Sequence, residues 1–465
     1  MRVLGIGRLW PYPVIEGYAA AACARRTQGW STEPAVRRRN GTELRARRAG
    51  RLGPRPRATV LLSRDFLRYL GPGFIVTLGF IDPGNWATDI AAGSRFGYEL
   101  LWVISLSTLV LILFQSMAAR LGIVTGHSLA YNIRERYAPL PRAVFGVSIV
   151  LACVATDVAE LIGAALGINL LFGLPLWLGA CLTIVMKVPL IVAGRYHQVE
   201  RLIVAFLAVI SICYLLEILL VHPDWATAGR GAIIPRLGQG RLLVALGMMG
   251  AVVMPSNIYL HSNVILSRDW TGDEVTRRRL ISYERGDTIL AMSLGWLVNC
   301  AMVIVAAAVF FRHGIVVASL EQASATLEPL VGHLARFVFA VALLCAGLGS
   351  SVTASMAEAN VITAYLGLPE DPRSRAYRLA LVATALPALA IIAVGFSSYH
   401  LLVLSQVVLG VQLPLTIVPL LLLVNDRRLM GTYASGRLER FLAVVTGVVI
   451  VVLDVVLVVQ AFGGV

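Results

Sequence analysis

The feature that most constrains this chain is a series of long apolar segments, which recur from Phe66 to Phe462. Segments of about 18 residues or more with few charges are long enough to cross a bilayer as helices. Of the 465 residues, 58% are hydrophobic and only 14% are charged. Because a soluble protein of this length needs more polar surface, the sequence predicts an all-α polytopic membrane protein.

Eleven membrane segments are predicted from the apolar runs. Their approximate bounds are 68–94, 98–119, 143–169, 172–193, 200–221, 241–266, 287–311, 332–364, 377–396, 399–424 and 441–462. Arginines concentrate in alternate loops and in residues 1–65, so the positive-inside rule predicts a cytoplasmic N-terminus and an external C-terminus. We therefore predict a multi-pass protein of the cell membrane, with a transporter domain at 66–465.

The basic N-terminal stretch contributes much of the formal net charge of +14. Such a stretch also occurs in nucleic-acid-binding proteins, but beside a membrane domain it favours anionic lipid as its partner. We expect residues 1–65 to be a disordered cytoplasmic tail and expect no nucleic-acid partner.

Two segments are interrupted near their middle by a proline and an asparagine. Asp-Pro-Gly-Asn occupies 82–85 in the first segment, and Met-Pro-Ser-Asn occupies 254–257 in the sixth. Broken backbone at bilayer depth is tolerated where it lines a cavity or binds an ion. Paired breaks five segments apart are typical of secondary transporters. They predict a LeuT-like 5+5 inverted repeat, with helices 1 and 6 unwound, repeats at about 68–221 and 241–424, and an extra helix at 441–462.

The two breaks supply a mixed set of candidate metal ligands. Asp82 offers a carboxylate, Asn85 an amide oxygen, Ala251 a backbone carbonyl and Met254 a thioether. The oxygen ligands suit any hard divalent cation. The sulfur favours Mn²⁺, Fe²⁺, Co²⁺ or Cd²⁺ over Mg²⁺ or Ca²⁺. The alternative interpretation of Met254 is a packing residue, as for most membrane methionines.

Titratable residues inside other segments are candidates for moving protons. Asp157 and Glu160 lie three residues apart and share one helical face, where buried carboxyls can change charge near neutral pH. The alternative is that they face water at a helix end. His261 lies about two turns after Met254, either on the same face or as a packing residue.

Further polar residues fall inside apolar segments. Asn299 and Gln406 are predicted to support the site, and Glu358 is placed near the cytoplasmic end of the eighth segment. Lys187 is expected to extend its ammonium group to the membrane interface.

Several motifs resemble the Nramp family of divalent metal transporters, of the bacterial MntH type. They are Gly-Pro-Gly-Phe at 71–74, Asp-Pro-Gly-Asn-Trp-Ala-Thr at 82–88, Phe-Gly-Tyr at 96–98, Leu-Gly-Ile-Val-Thr-Gly at 121–126, Asp-x-x-Glu at 157–160 and Met-Pro-x-Asn-x-Tyr-Leu-His-Ser at 254–262. The resemblance spans roughly Leu70 to Phe462. It implies a LeuT-like fold and proton-coupled import of Mn²⁺ and Fe²⁺.

The resemblance also implies roles for individual residues. The family's metal site falls on Asp82, Asn85, Ala251 and Met254. Its proton pathway falls on the residues Asp82, Asp157, Glu160 and His261. Apart from the transported metal, no cofactor is implied.

This chain departs from the family pattern at three places. Ser256 replaces the usual histidine after Met-Pro, and Ala380 and Leu381 stand where a pair of arginines is usual. The usual Gly-Gln-Ser-Ser-Thr reads Gly-Leu-Gly-Ser-Ser at 347–351. These changes affect the expected proton coupling more than metal binding. The retained Met254 argues against the magnesium-transporting relatives.

The main hypothesis is a monomeric, proton-coupled importer of divalent transition metals that works by alternating access. The alternative is metal uniport or weakly proton-coupled transport, with selectivity shifted toward Mg²⁺. An amino-acid symporter of the same fold is disfavoured by the acid at the first break. A metal sensor would need an output domain, and no HExxH or GxSxG motif indicates an enzyme.

Overall fold

The computed structural model describes residues 66, 69–194, 196–236, 238, 240–270 and 273–463. The chain divides into two units, residues 1–70 and 71–465. The tail predicted at 1–65 lies outside the described residues, and the first unit is described only at Phe66, Tyr69 and Leu70.

The second unit is built from helices and short connections, without a strand in its described part. The helices are α1 (Pro72–Gly79), α2 (Pro83–Phe96), α3 (Leu101–Thr125), α4 (Leu129–Arg136), α5 (Pro139–Phe172), α6 (Leu176–Ala193), α7 (Tyr196–Val221), α8 (Trp225–Ile233), α9 (Arg241–Val252), α10 (Pro255–Val264), α11 (Glu274–Val309), α12 (Leu320–Val331), α13 (His333–Leu366), α14 (Arg375–Ala393), α15 (Ser398–Asn425), α16 (Arg427–Met430) and α17 (Arg437–Gly463).

Nine helical spans within the described residues are long and apolar enough to cross a membrane, as judged by length and composition. One of them, Val244–Ser267, contains the second break. The all-α membrane prediction is confirmed, while the count of eleven stays a prediction. The seventh segment, predicted to start at 287, begins earlier because Asp273 caps α11, and its side chain accepts from the backbone N–H of Thr276.

Both interruptions are present where the sequence predicts them. Pro83 is the first residue of α2, and Asp82 before it is extended, with φ −79° and ψ 163°. Pro255 likewise starts α10, after an extended Met254 with φ −71° and ψ 124°. Proline cannot donate a backbone hydrogen bond to the preceding turn, but it is well suited to the first position of a new helix. The two prolines therefore end one half-helix and begin the next.

Glycines let α5 pass close to the first break. A Cβ atom at Gly163 would overlap the Pro83 ring, and one at Gly347 of α13 would overlap the backbone of Ala164. Because α5, α13 and the break approach backbone to backbone here, the acids on α5 lie near the start of α2.

Candidate cation site

The two breaks meet through the side-chain amide of Asn85. Its Nδ2 donates to Phe80 O at 2.7 Å, to Asp82 Oδ1 at 2.5 Å and to Ala251 O at 3.0 Å. The first two acceptors belong to the first break, and the third lies in the last turn of α9, the helix before the second break. Three oxygen atoms thus converge on one nitrogen in a region that is fully buried.

Asp82 is held by the helix that follows it. Its Oδ1 accepts from the backbone N–H of Asn85 at 3.1 Å, and its Oδ2 accepts from that of Gly84 at 3.2 Å. A carboxylate at this position satisfies free N–H groups and complements the helix dipole. The charge is therefore fixed at the break, although it is 0% exposed.

Gln406 of α15 also reaches the first break. A Cβ atom at Gly84 would overlap the side-chain amide nitrogen of Gln406, so glycine is required for this approach. Gln406 Oε1 and Asn85 Oδ1 are buried without a hydrogen-bond partner in the described structure. Both oxygens remain free to accept a donor or to face a cation.

The second break contributes a soft candidate ligand, the thioether sulfur of Met254. Met254 is 1% exposed, and its sulfur lies 3.5 Å from Asn257 Nδ2. The neighbouring Ser256 is buried, and its Oγ has no hydrogen-bond partner among the described residues. Within those residues no group of three His, Cys, Asp or Glu side chains could hold a metal ion. A cation here would have to be bound by mixed oxygen and sulfur atoms.

A second buried group, which we term the acid–lysine cluster, consists of Asp157, Glu160, Lys187 and Glu358. Lys187 Nζ donates to Asp157 Oδ1 at 2.6 Å, with both side chains almost fully buried. The predicted extension of Lys187 to the membrane interface is wrong. Lys187 lies on the face of α6 packed against α5, so its ammonium group meets a carboxylate instead.

The other two members of the acid–lysine cluster accept hydroxyl hydrogen bonds. Ser350 Oγ donates to Glu160, and Thr384 Oγ1 of α14 donates to Glu358 at 2.7 Å. Glu358 is 0% exposed and lies eight residues before the end of α13 at Leu366, close to the predicted end of this segment at 364. The alternative of water-facing acids at 157 and 160 is excluded by their burial.

His261 is buried with different partners. Its Nδ1 lies 3.1 Å from Gln115 Oε1 of α3, and its Nε2 lies 3.9 Å from Glu284 Oε1 of α11. None of these contacts comes from α5. The placement of His261 in one pathway with Asp157 and Glu160 stays a prediction.

Sequence reasoning missed a further set of buried acids beyond the first break. Asp89 of α2 and Glu217 of α7 are each almost fully buried, and neither carboxyl has a hydrogen-bond partner in the described structure. Tyr214 interacts electrostatically with both, and its ring packs edge-on against Trp86 at 5.2 Å. The signal was available, because Asp89 lies seven residues, or two turns, after Asp82.

Asn299 of α11 lies beside the first break. A Cβ atom at Gly295 would overlap the Phe80 ring, and one at Gly93 would lie 2.6 Å from Val303 O. Asn299 lies between Gly295 and Val303 on α11 and is buried. Both polar atoms of its side-chain amide lack a hydrogen-bond partner in the described part of the chain. Its predicted support of the site stays a prediction.

Two interrupted helices joined through buried polar groups define a secondary transporter of the LeuT fold. A solved structure of Mhp1, described as a nucleobase-cation-symport-1 family transporter, shares this fold with a TM-score of 0.59 at 16% identity. The match covers 84% of this chain and 89% of Mhp1. The predicted fold is confirmed.

The chain belongs to the Nramp family, since the profile described as "Natural resistance-associated macrophage protein-like" matches residues 73–460. A divalent metal cation transporter MntH of Ralstonia nicotianae is 41% identical over 417 residues, covering 87% of this chain and 93% of that protein. The MntH of Caldanaerobacter subterraneus is 38% identical, covering 84% and 92%. A mutant manganese transporter of Eremococcus coleocola gives a TM-score of 0.78 at 29% identity, covering 88% and 90%. The predicted family is confirmed.

Proposed function

We propose that this protein imports divalent transition-metal ions, Mn²⁺ and Fe²⁺, across the cell membrane by proton-coupled alternating access. It would act as a monomer with its N-terminus in the cytoplasm. The observation that carries the proposal is the convergence of three oxygens, from both breaks, on Asn85 Nδ2. The relatives named divalent metal cation transporters and the neighbour named a manganese transporter support the cargo.

The proposed ligands are Asp82, Asn85, Ala251 and Met254. The Asn85 amide nitrogen lies between the oxygen atoms of Asp82 and Ala251. Because its hydrogens are partly positive, this is also a favourable position for a cation. When the ion enters, rotation of this side chain would turn Oδ1, which now has no partner, toward it. Met254 would add the thioether that separates transition metals from Mg²⁺ and Ca²⁺. Gln406 and Asn299 would support this site from α15 and α11.

Proton movement is proposed to involve Asp82, Asp157, Glu160 and His261. Asp82 and Glu160 interact electrostatically, and Glu160 lies in the acid–lysine cluster. Charges that cannot all be neutralised in a membrane interior are typical of proton relays. The exchange of metal for a proton at Asp82 would therefore change the electrostatic energy of the acids on α5.

The proposal is tested by reconstituting the full chain in liposomes with an internal metal dye and an internal pH dye. Mn²⁺ outside should produce metal uptake and internal acidification together, with Cd²⁺ and Fe²⁺ competing and Ca²⁺ and Mg²⁺ not. Absence of Mn²⁺ uptake by folded protein would contradict the proposed cargo.

The second candidate is Mn²⁺ uniport or weakly coupled transport. It is favoured by Ser256, which places a non-titratable, buried side chain beside Met254. Metal uptake without internal acidification would support this alternative. Equal competition by Mg²⁺ would support the version with shifted selectivity.

A further inference from the structure

Lys187 is the only lysine in a chain that contains 40 lysines and arginines in total. It is 2% exposed and lies inside α6, with its Nζ on Asp157. We propose that Lys187 is a positioning cation that keeps one acid of the acid–lysine cluster ionised and lets that negative charge move among Asp157, Glu160 and Glu358. The inference rests on the proposed proton coupling and assigns to it a residue of this chain.

The argument begins with the balance of charge. The acid–lysine cluster contains three carboxyl groups and one ammonium group, and all four side chains are between 0% and 2% exposed. A buried carboxylate without a compensating cation is strongly unfavourable, so protonation is the usual outcome. One ammonium group can balance one carboxylate. The other two acids therefore hold protons, and the acid–lysine cluster stores two protons and one negative charge.

The geometry allows the negative charge to change place. Lys187 bonds to Asp157 and also interacts electrostatically with Glu160 and Glu358. The carboxyl groups of Asp157 and Glu358 are close enough to share a hydrogen bond. When Glu358 gives its proton to Asp157, an O–H bond breaks on Glu358 and one forms on Asp157, and the negative charge passes the other way. The flexible lysine side chain can follow that charge.

The surroundings of the acid–lysine cluster fit this exchange. Thr384 of α14 and Ser350 of α13 provide hydroxyl groups to Glu358 and Glu160. The thiol of Cys153 on α5 interacts electrostatically with Asp157 and Glu358, and Asp82 interacts in the same way with Glu160. Hydroxyl groups stabilise either charge state, because each can donate to a carboxylate and accept from a carboxylic acid.

Lysine and arginine differ in how many carboxylates one side chain can reach in turn, and this difference explains why a lysine at 187 suits a mobile charge. A guanidinium group is a rigid fork that binds one carboxylate through two parallel bonds. An ammonium group is a compact charge on a flexible stem, able to turn from one acid to another. An arginine at 187 would therefore hold the negative charge on Asp157 and stop its exchange.

The test uses the full chain in liposomes, with Mn²⁺ uptake and internal pH measured in the same sample. Lys187→Arg should keep Mn²⁺ uptake within about threefold of wild type while proton uptake per Mn²⁺ falls about tenfold. Thr183→Ala, one turn earlier on α6, is the matched control. It is buried, and among the described residues its hydroxyl donates to the backbone carbonyl of Gly179 alone, so both fluxes should stay unchanged.

A second variant protects the test against misfolding, which is judged by size-exclusion profile. Lys187→Met removes the ammonium group and leaves the three acids in place, all of which can then hold protons, so it should fold, carry Mn²⁺ and lose proton uptake. If Lys187→Arg, or Lys187→Met where the arginine does not fold, acidifies liposomes as wild type does, Lys187 has no such role.

The same data separate this inference from the function it rests on. If wild type carries Mn²⁺ without any proton uptake, proton coupling and the role of Lys187 both fail. If wild type couples protons and the Lys187 variants do too, only the role of Lys187 fails.

Discussion

The two helix breaks begin alike but are completed differently. Each new half-helix starts with a proline, yet Asp82 caps its helix with two side-chain hydrogen bonds, whereas Met254 makes no side-chain cap. The first break is charged and held by its own backbone. The second offers a neutral sulfur, which accepts from the side chain of Asn257 and from no backbone N–H of the described helix start. In the proposed site, attraction of a cation therefore falls to the first break and choice among cations falls to the second.

The half-helices are also anchored differently. At the start of α1, Asp287 accepts from the backbone N–H groups of Gly71 at 3.2 Å and Gly73 at 2.7 Å, from within α11. At the end of α10, Asn263 Nδ2 donates to Glu370 at 2.6 Å, and Glu370 lies in the loop after α13. The second half-helix is thus tied to a loop acid through Asn263, in addition to the contacts that His261 makes with α3 and α11.

The largest expected effect comes from removing the charge of the first break. Asp82→Ala should reduce Mn²⁺ uptake in liposomes by about 100-fold, because the anionic oxygen of the proposed site is lost. Asp224→Ala is the matched control, since Asp224 caps α8 in the same way but is exposed. Uptake by Asp82→Ala equal to that of the control would contradict the assignment of charge to this break.

A smaller, selective effect is expected at the second break. Met254→Leu keeps side-chain volume but removes the sulfur, so inhibition of Mn²⁺ uptake by Ca²⁺ and Mg²⁺ should increase about tenfold while uptake itself changes less. Met248→Leu, a buried methionine on α9, should leave the competition profile unchanged. If the two leucine variants have the same metal preference, the sulfur has no part in selectivity.

The loop anchor of the second half-helix predicts a dependence on pH. Burial raises the pKa of Glu370 from 4.5 to about 7, partly offset by hydrogen bonds from Ser128 and Asn263. Between these two values the unfolded chain loses a proton that the folded chain keeps, so folding stability falls as pH rises through this range. The midpoint of thermal unfolding in detergent should fall from pH 4.5 to 7 in wild type.

The glutamine variant isolates this contribution. Glu370→Gln cannot ionise, so its unfolding midpoint should fall less than that of wild type over the same range. Parallel curves for the two proteins would remove Glu370 as the source. Glu321→Gln, at the capped start of α12, is the control, and its unfolding midpoint should follow the wild-type pH dependence.

The smallest effect is expected beside Met254. Ser256 is buried and its Oγ has no hydrogen-bond partner among the described residues, so Ser256→Ala removes no bond. Mn²⁺ uptake and its pH profile should match wild type within about twofold. A clear loss of proton uptake in this variant would contradict this expectation and would assign part of the proton coupling to the second break.

The sequence predicted what depends on position along one helix. The breaks at Pro83 and Pro255 follow from local backbone chemistry, and both formed where expected. The bond between Lys187 and Asp157 depends on how α6 packs against α5, which no spacing within either helix encodes. The sequence-based prediction therefore gave Lys187 a place at the membrane interface.

Other misses have a different cause. Asp89 and Glu217 are visible in the sequence as acids inside apolar segments, but their lack of partners is a property of the packed structure. Glu358 is likewise visible as an acid inside an apolar segment, but its hydrogen bond with Thr384 depends on how α13 packs against α14. Hydropathy reports depth in the membrane and does not report which side chains face each other.

The three oxygens around Asn85 Nδ2 have a consequence for the return half of a transport cycle. Oxygen atoms gathered to hold a cation repel one another when the cation leaves, and that repulsion would drive the two breaks apart. The two partly positive hydrogens of the Asn85 amide are shared among the oxygens of Phe80, Asp82 and Ala251. In the proposed transport cycle, the protein without cargo would therefore keep its half-helices joined while it reorients.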